Sequence, residues 1–139
     1  MNSLLLLAFV LTLATGVGIY FQRRSGVIKR KKRLRLSPSE VGGEYGDRAT
    51  IVQFSTTFCS SCRTAKALIS DVVKDQSDIS YHEVDAESNL DLVRRVDIRS
   101  TPTTLFLDKQ GFEIARATGA PKRDQLIETI NEIFVFGDK

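Results

Sequence analysis

A chain of 139 residues has room for one ordinary domain and a short appendage. Its 42% hydrophobic and 27% charged residues are those of a globular protein, yet the net charge of +3 is unevenly spread: residues 1–36 hold eight basic residues and no acidic one, whereas residues 37–139 hold all seventeen acidic residues and sum to −5. The basic excess therefore belongs to the N-terminal segment, and the folded part is too acidic to read as a nucleic-acid-binding surface.

In chain order, the first element is apolar. Leu4 to Phe21 is interrupted only by Thr12, Thr15, Gly16 and Gly18, and no charged side chain occurs from Met1 to Gln22. Eighteen helical residues span about 27 Å, close to the thickness of a bilayer core. A cleaved signal peptide fits less well, because Met1-Asn2-Ser3 supplies no basic start and Tyr20-Phe21-Gln22-Arg23 is a poor cleavage site. A buried core helix would not be free of charge around its whole circumference. Residues 1–22 are thus expected to form a transmembrane anchor, with Leu4 and Phe21 near its two ends.

Arg23, Arg24, Lys29, Arg30, Lys31, Lys32, Arg33 and Arg35 all follow the apolar run. By the positive-inside rule they place the C-terminal side in the cytoplasm and the N-terminus outside, an extracytoplasmic domain being the alternative. The same cations suit anionic lipid headgroups. Ser37 to Arg48, with Pro38, three glycines and three acidic residues, has no periodicity and reads as a flexible linker. Residues 23–48 are accordingly assigned to a basic juxtamembrane segment and linker, and 49–139 to the domain.

Thr50 to Phe54 is a β-rich run that predicts a buried strand. From Cys59 the pattern is helical, with Ala65, Leu68, Ile69, Val72 and Val73 on one face. Ile79 to Val84 predicts a second strand, and Asn89 to Val96 a short helix burying Leu90, Leu92 and Val93. Thr103 to Leu107 and Phe112 to Ala117 predict a hairpin around Asp108-Lys109-Gln110-Gly111. Pro121 suits the first turn of a last helix that presents Leu126, Ile127, Ile130, Ile133 and Phe134. The order β-α-β-α-β-β-α implies an α/β fold: a mixed sheet covered by helices on both faces, a three-layer α/β/α sandwich preceded by one transmembrane helix.

Only two cysteines occur, Cys59 and Cys62. Two residues apart, they close almost no loop, so the pair has little value as a structural staple. A Cys-x-x-Cys where a strand meets a helix places the first thiol at the helix N-terminus, where unpaired N–H groups and the dipole favour the thiolate. The second lies one turn on and faces the first. This spacing makes Cys59 the nucleophile and Cys62 the resolving thiol of disulfide exchange. A zinc site would need two further ligands, and the single histidine, His82, reads as a partly exposed strand residue. Asp85, Glu87, Asp91 and Asp97 fall on separate elements and read as solvated surface.

From about Thr50 to Phe134 the chain resembles the thioredoxin-fold oxidoreductases, without the extra N-terminal strand and helix of thioredoxin itself. The resemblance rests on Val52-Gln53-Phe54-Ser55, Phe58-Cys59-Ser60-Ser61-Cys62-Arg63, Val84-Asp85 and Ser100-Thr101-Pro102-Thr103. It implies that Pro102 is cis and lies against the dithiol, and that Thr101 leaves its backbone free for an extended substrate chain. Thr101, Pro102 and Phe58 then become substrate contacts, and Gly119 matches the family's glycine before the last helix. Departures from the family are Ser60-Ser61 for Gly-Pro, Phe58 for Trp, Gln53 for a buried Asp that assists proton transfer, and Ala67 for a helix-kinking Pro. Gln53 cannot titrate.

The function expected is that of a membrane-tethered thiol–disulfide oxidoreductase working as a reductase, its redox centre being the dithiol and no other cofactor being required. Its partners would be protein thiol or disulfide substrates, an electron-donor or acceptor protein, and membrane lipid, with no nucleic acid. The alternative is a binding or adaptor module that keeps the fold with little turnover.

Overall fold

The computed structural model describes residues 2–24, 26, 28–29 and 34–136. Asn2–Arg24 form helix α1, whose side chains are exposed from Asn2 to Arg23. Then come strand β1 (Ile28–Lys29), a single turn α2 (Pro38–Val41), β2 (Ala49–Ser55), α3 (Ser60–Val73), β3 (Ile79–Asp85), α4 (Leu90–Arg95), β4 (Thr103–Asp108), β5 (Glu113–Thr118) and α5 (Arg123–Phe136). Arg30, Lys31, Lys32 and Arg33 lie outside the described residues, as does the side chain of Phe134.

The sheet order is β1-β5-β4-β2-β3. Strands β2 and β3 run parallel from Ala49↔Ile79 to Ser55↔Asp85, whereas β4 lies antiparallel to both β2 and β5. The alternation of each strand then sorts side chains into two cores. Ile51, Phe106, Ala115 and Ala117 pack with Ile69 of α3 and with Leu126, Ile130 and Ile133 of α5. Val52, Phe54, Leu105 and Leu107 face the other way, against Val96, Ile98, Val41 and Leu36. Fully burying one such side chain stabilises the fold by about 1.5–3 kcal/mol. The three-layer arrangement read from the sequence is the one observed, and each strand extends about one residue beyond its expected end.

Three expectations need correction. First, Ser37–Arg48 is not a free linker. Leu36 and Val41 are completely buried, the Tyr45 hydroxyl donates to the Leu36 carbonyl, and the Glu40 carboxylate accepts the Ser37 N–H at 2.8 Å while pairing with Arg95 of α4. Two apolar anchors and a polar clasp hold a glycine-rich segment that has no periodicity of its own. Secondly, a short strand and a helical turn do precede β2. Ile28 pairs with Ala117 and Lys29 with Arg116; Glu113 N–H donates to Leu34 O at 2.7 Å, and Leu36 N–H to Gly111 O at 3.0 Å. Thirdly, Leu90 is 54% exposed and Ile127 40% exposed. Leu90 opens α4 at the surface, and on α5 the inward position adjoining Leu126 and Ile130 is taken by Thr129.

Candidate redox site

Strand β2 is buried throughout and ends at Ser55. The chain turns through Thr56, Thr57 and Phe58, and Cys59 caps α3 in an extended conformation. Its Sγ accepts the Cys62 backbone N–H at 3.1 Å. That is the place of a capping oxygen, and it directs an orphan amide of the helix start at the sulfur. Ser61 Oγ lies 3.5 Å from the same sulfur. The two cysteines are joined in a disulfide, with Cα atoms 5.2 Å apart. They are unequal: Cys59 is half-buried, and Cys62 is 3% exposed.

Gln53 lies beneath Cys62. It is fully buried, and its side-chain Nε2 donates to the Cys62 carbonyl at 2.9 Å. The Tyr81 hydroxyl in turn donates to Gln53 Oε1 at 2.9 Å. Burial, with the Glu83 charge adding to it, pushes the Tyr81 hydroxyl well above its ordinary value, so it remains a neutral donor. Two residues along β3, Glu83 accepts from Ser55 Oγ at 2.7 Å and pairs with Lys66 of α3 at 2.7 Å. The hydrogen bonds from Lys66 and then Ser55 hold its carboxyl below the usual range. Gln53 is the residue the sequence points to here, and Tyr81 is an addition from the structure. The signal available was alternation: Tyr81 shares a strand face with Ile79 and Glu83.

The Thr101–Pro102 peptide bond is cis and Pro102 is buried. Thr101 Oγ1 lies 3.5 Å from Thr56 Oγ1, the residue three before Cys59, and Gly119 N–H donates to Pro102 O at 2.8 Å. The loop before β4 and the end of β5 therefore meet at the site. Phe58, beside the disulfide, is 96% exposed. His82 lies elsewhere, its Nε2 2.9 Å from the Glu44 carbonyl in the loop after α2. Asp85 is used locally: its carboxylate accepts from Ser88 Oγ at 2.6 Å and from Glu87 N–H at 2.9 Å.

A disulfide that caps a helix at the end of a central strand, one sulfur accessible and the other behind it, defines a protein-disulfide oxidoreductase of the thioredoxin type. The comparisons agree. A family model described as Thioredoxin matches residues 42–132, and the chain belongs to the thioredoxin family. It is 31% identical over 88 residues to thioredoxin of Homo sapiens, covering 63% of this chain and 82% of that protein. Over 75 residues it is 29% identical to thioredoxin-2 of Saccharomyces cerevisiae, covering 54% of this chain and 71% of the relative. A crystal structure of a thioredoxin from Nicotiana alata is 28% identical with a TM-score of 0.55, over 62% of this chain and 73% of that one. An X-ray structure of Fasciola hepatica thioredoxin is 25% identical with a TM-score of 0.55, over 63% and 82%.

Proposed function

We propose that the protein is a membrane-tethered protein-disulfide reductase. The observation that carries the chemistry is the inequality of the two thiols. In the reduced protein the Cys59 thiolate attacks a sulfur of the substrate disulfide, forms a mixed disulfide and releases one substrate thiolate, which takes up a proton. Cys62, from behind, then attacks Cys59 Sγ as the thiolate. The second substrate thiolate leaves and is protonated, and the Cys59–Cys62 disulfide remains. Two electrons pass to the substrate, and a thiol donor must later return them. The Cys62 N–H that meets Cys59 Sγ favours the attacking thiolate in the first step and the departing one in the reverse reaction. Phe58 offers an exposed apolar contact, and Thr101 and Pro102 offer the backbone against which a substrate chain lies.

Tethering rests on α1. Asn2–Arg23 is 22 residues long, and its most apolar 18-residue stretch has a mean hydropathy of 2.3. Thr12 and Thr15 return their hydroxyls to the carbonyls of Ala8 and Leu11, at 2.8 and 2.7 Å, so neither brings an unsatisfied donor into lipid. Leu4 and Phe21 bound the apolar stretch, and the basic residues from Arg23 to Arg35 hold the domain on the cytoplasmic side against anionic lipid.

Reduction of insulin by the full chain, with dithiothreitol as electron source, tests the reading. Cys59→Ser is expected to abolish catalysis. A wild-type chain that does not accelerate the reaction over dithiothreitol alone would be an adaptor, and the reductase assignment would fall.

A further inference from the structure

The chain passes from the apolar helix into the sheet at one particular end of the domain. Arg24 ends α1, and Gly26 is already part of the domain: its N–H donates to Thr118 O at 2.6 Å. Two residues reach at most about 7 Å. Gly26 has φ +79°, and a Cβ there would stand 2.4 Å from the Ala120 carbonyl oxygen, so the glycine is what lets the chain lie this close. From there the chain enters β1, antiparallel to β5, with Ile28 opposite Ala117 near the end of β5.

That end of the sheet is the redox end. Thr118, which holds Gly26, is paired with Thr103, and Thr103 is paired with Phe54 at the close of β2. The next residue, Gly119, donates to Pro102 O at 2.8 Å, and Thr101 meets Thr56. The tether point and the disulfide thus lie at the same end of the sheet, on strands β1 and β2 that stand about 14 Å apart in the order β1-β5-β4-β2. Had the chain entered β1 from the opposite end of β5, the dithiol would point away from the bilayer.

We infer that the redox end of the domain faces the membrane surface, and that its substrates are disulfides in the membrane-adjacent segments of integral membrane proteins rather than disulfides of freely diffusing proteins. This rests on the tethered reductase reading above. A dithiol held beside the exit point of its own helix shares a thin layer with such disulfides, and the shared layer raises their effective concentration. The exchange is the one already written, with the membrane protein's disulfide as electron acceptor and a thiol reductant as donor.

The test uses the full chain in vesicles of phosphatidylcholine and phosphatidylglycerol. Two synthetic transmembrane peptides carry the same disulfide-closed loop, one directly outside the bilayer and one beyond a helical spacer of about 20 residues, or about 30 Å. Single-turnover release of thiols is followed by quenched alkylation, and insulin in solution is the control. The near peptide is expected to be reduced at least about tenfold faster than the far one. A flexible Gly-Ser insertion of about 12 residues after Arg24, with a typical reach near 20 Å, is expected to bring the two rates together and to leave insulin reduction unchanged. Equal rates in the native chain, or a preference that survives the insertion, would overturn the inference while insulin reduction still stands. Loss of insulin reduction as well would remove the reductase reading beneath it, and failure of the chain to float with the vesicles would remove the tethered one.

Discussion

Tyr81 donates to a Gln53 amide whose direction the Cys62 carbonyl sets. That carbonyl can only accept, so Nε2 faces it and Oε1 is left to receive the Tyr81 hydroxyl proton. Tyr81→Phe should leave Gln53 Oε1 without that donor and cost about 1–3 kcal/mol, as expected for an orphaned buried acceptor. Urea denaturation of the two proteins checks it; an unchanged midpoint would mean that the hydrogen bond does not hold the amide.

Cys62→Ser should trap substrates as mixed disulfides through Cys59, and Cys59→Ser should not. With the resolving sulfur removed, no nearby nucleophile can displace the substrate, whereas Cys62 alone lies too deep to begin the reaction. Non-reducing electrophoresis of acid-quenched cells gives the comparison. Adducts of similar yield from both variants would end the ordered two-step scheme.

Glu83 links stability to pH. The Lys66 hydrogen bond, then that of Ser55, holds its folded-state pKa below the unfolded value, so the folded state binds fewer protons in acid. Its contribution is present above the unfolded pKa of about 4.3 and is lost as pH falls through the folded value. Lys66→Met should therefore reduce the drop in urea midpoint between neutral and acidic conditions. An equal drop in both proteins would show that Glu83 is not held by this pair.

Leu36→Ala should destabilise the domain by about 2–5 kcal/mol, the range for truncating a buried leucine. A chain beginning at Ala49 should be less stable than one beginning at Leu34. Thermal unfolding of the three decides whether residues 34–48 belong to the fold; a midpoint unmoved by L36A would return the segment to the status of a linker.

Replacing Lys29 to Arg33 with neutral residues should disturb the proposed orientation, in which the cations after α1 keep the domain inside. A phosphatase fused after Lys139 should be inactive in the native sequence and gain activity in the neutralised one. Activity in the native fusion would place the domain outside the cytoplasm.

The legibility of the sequence followed from how local each feature was. Buried strands β2 and β4 announce themselves as short apolar runs, and the pair Cys59–Cys62 declares itself by spacing alone. The segment around Leu36 and Val41 did not, because two anchors five residues apart among glycines and acids match neither period. Strand β1 is two residues beside a basic run, and only β5 gives it meaning. The exposure of Leu90 is not legible because α4 is six residues long, too short for a period to locate its inner face. The Gln53–Tyr81 bond joins residues 28 apart, and no pattern within a single strand contains that register.

Strand β1 bears on the tethered arrangement proposed above. Proteins confined to a bilayer meet one another far more often than the same number in solution, and an open strand edge is an invitation to stack. Here one border of the sheet is taken by the chain itself, through Ile28 and Lys29 and then the Arg35↔Phe112 bridge. The other border, β3, carries the exposed carboxylates Glu83 and Asp85, with the buried Val84 between them. Charged side chains on the remaining edge, Glu83 with its Lys66 partner and Asp85, discourage two copies from joining into a continuous sheet, so that in the tethered arrangement proposed above crowding need not lead to aggregation.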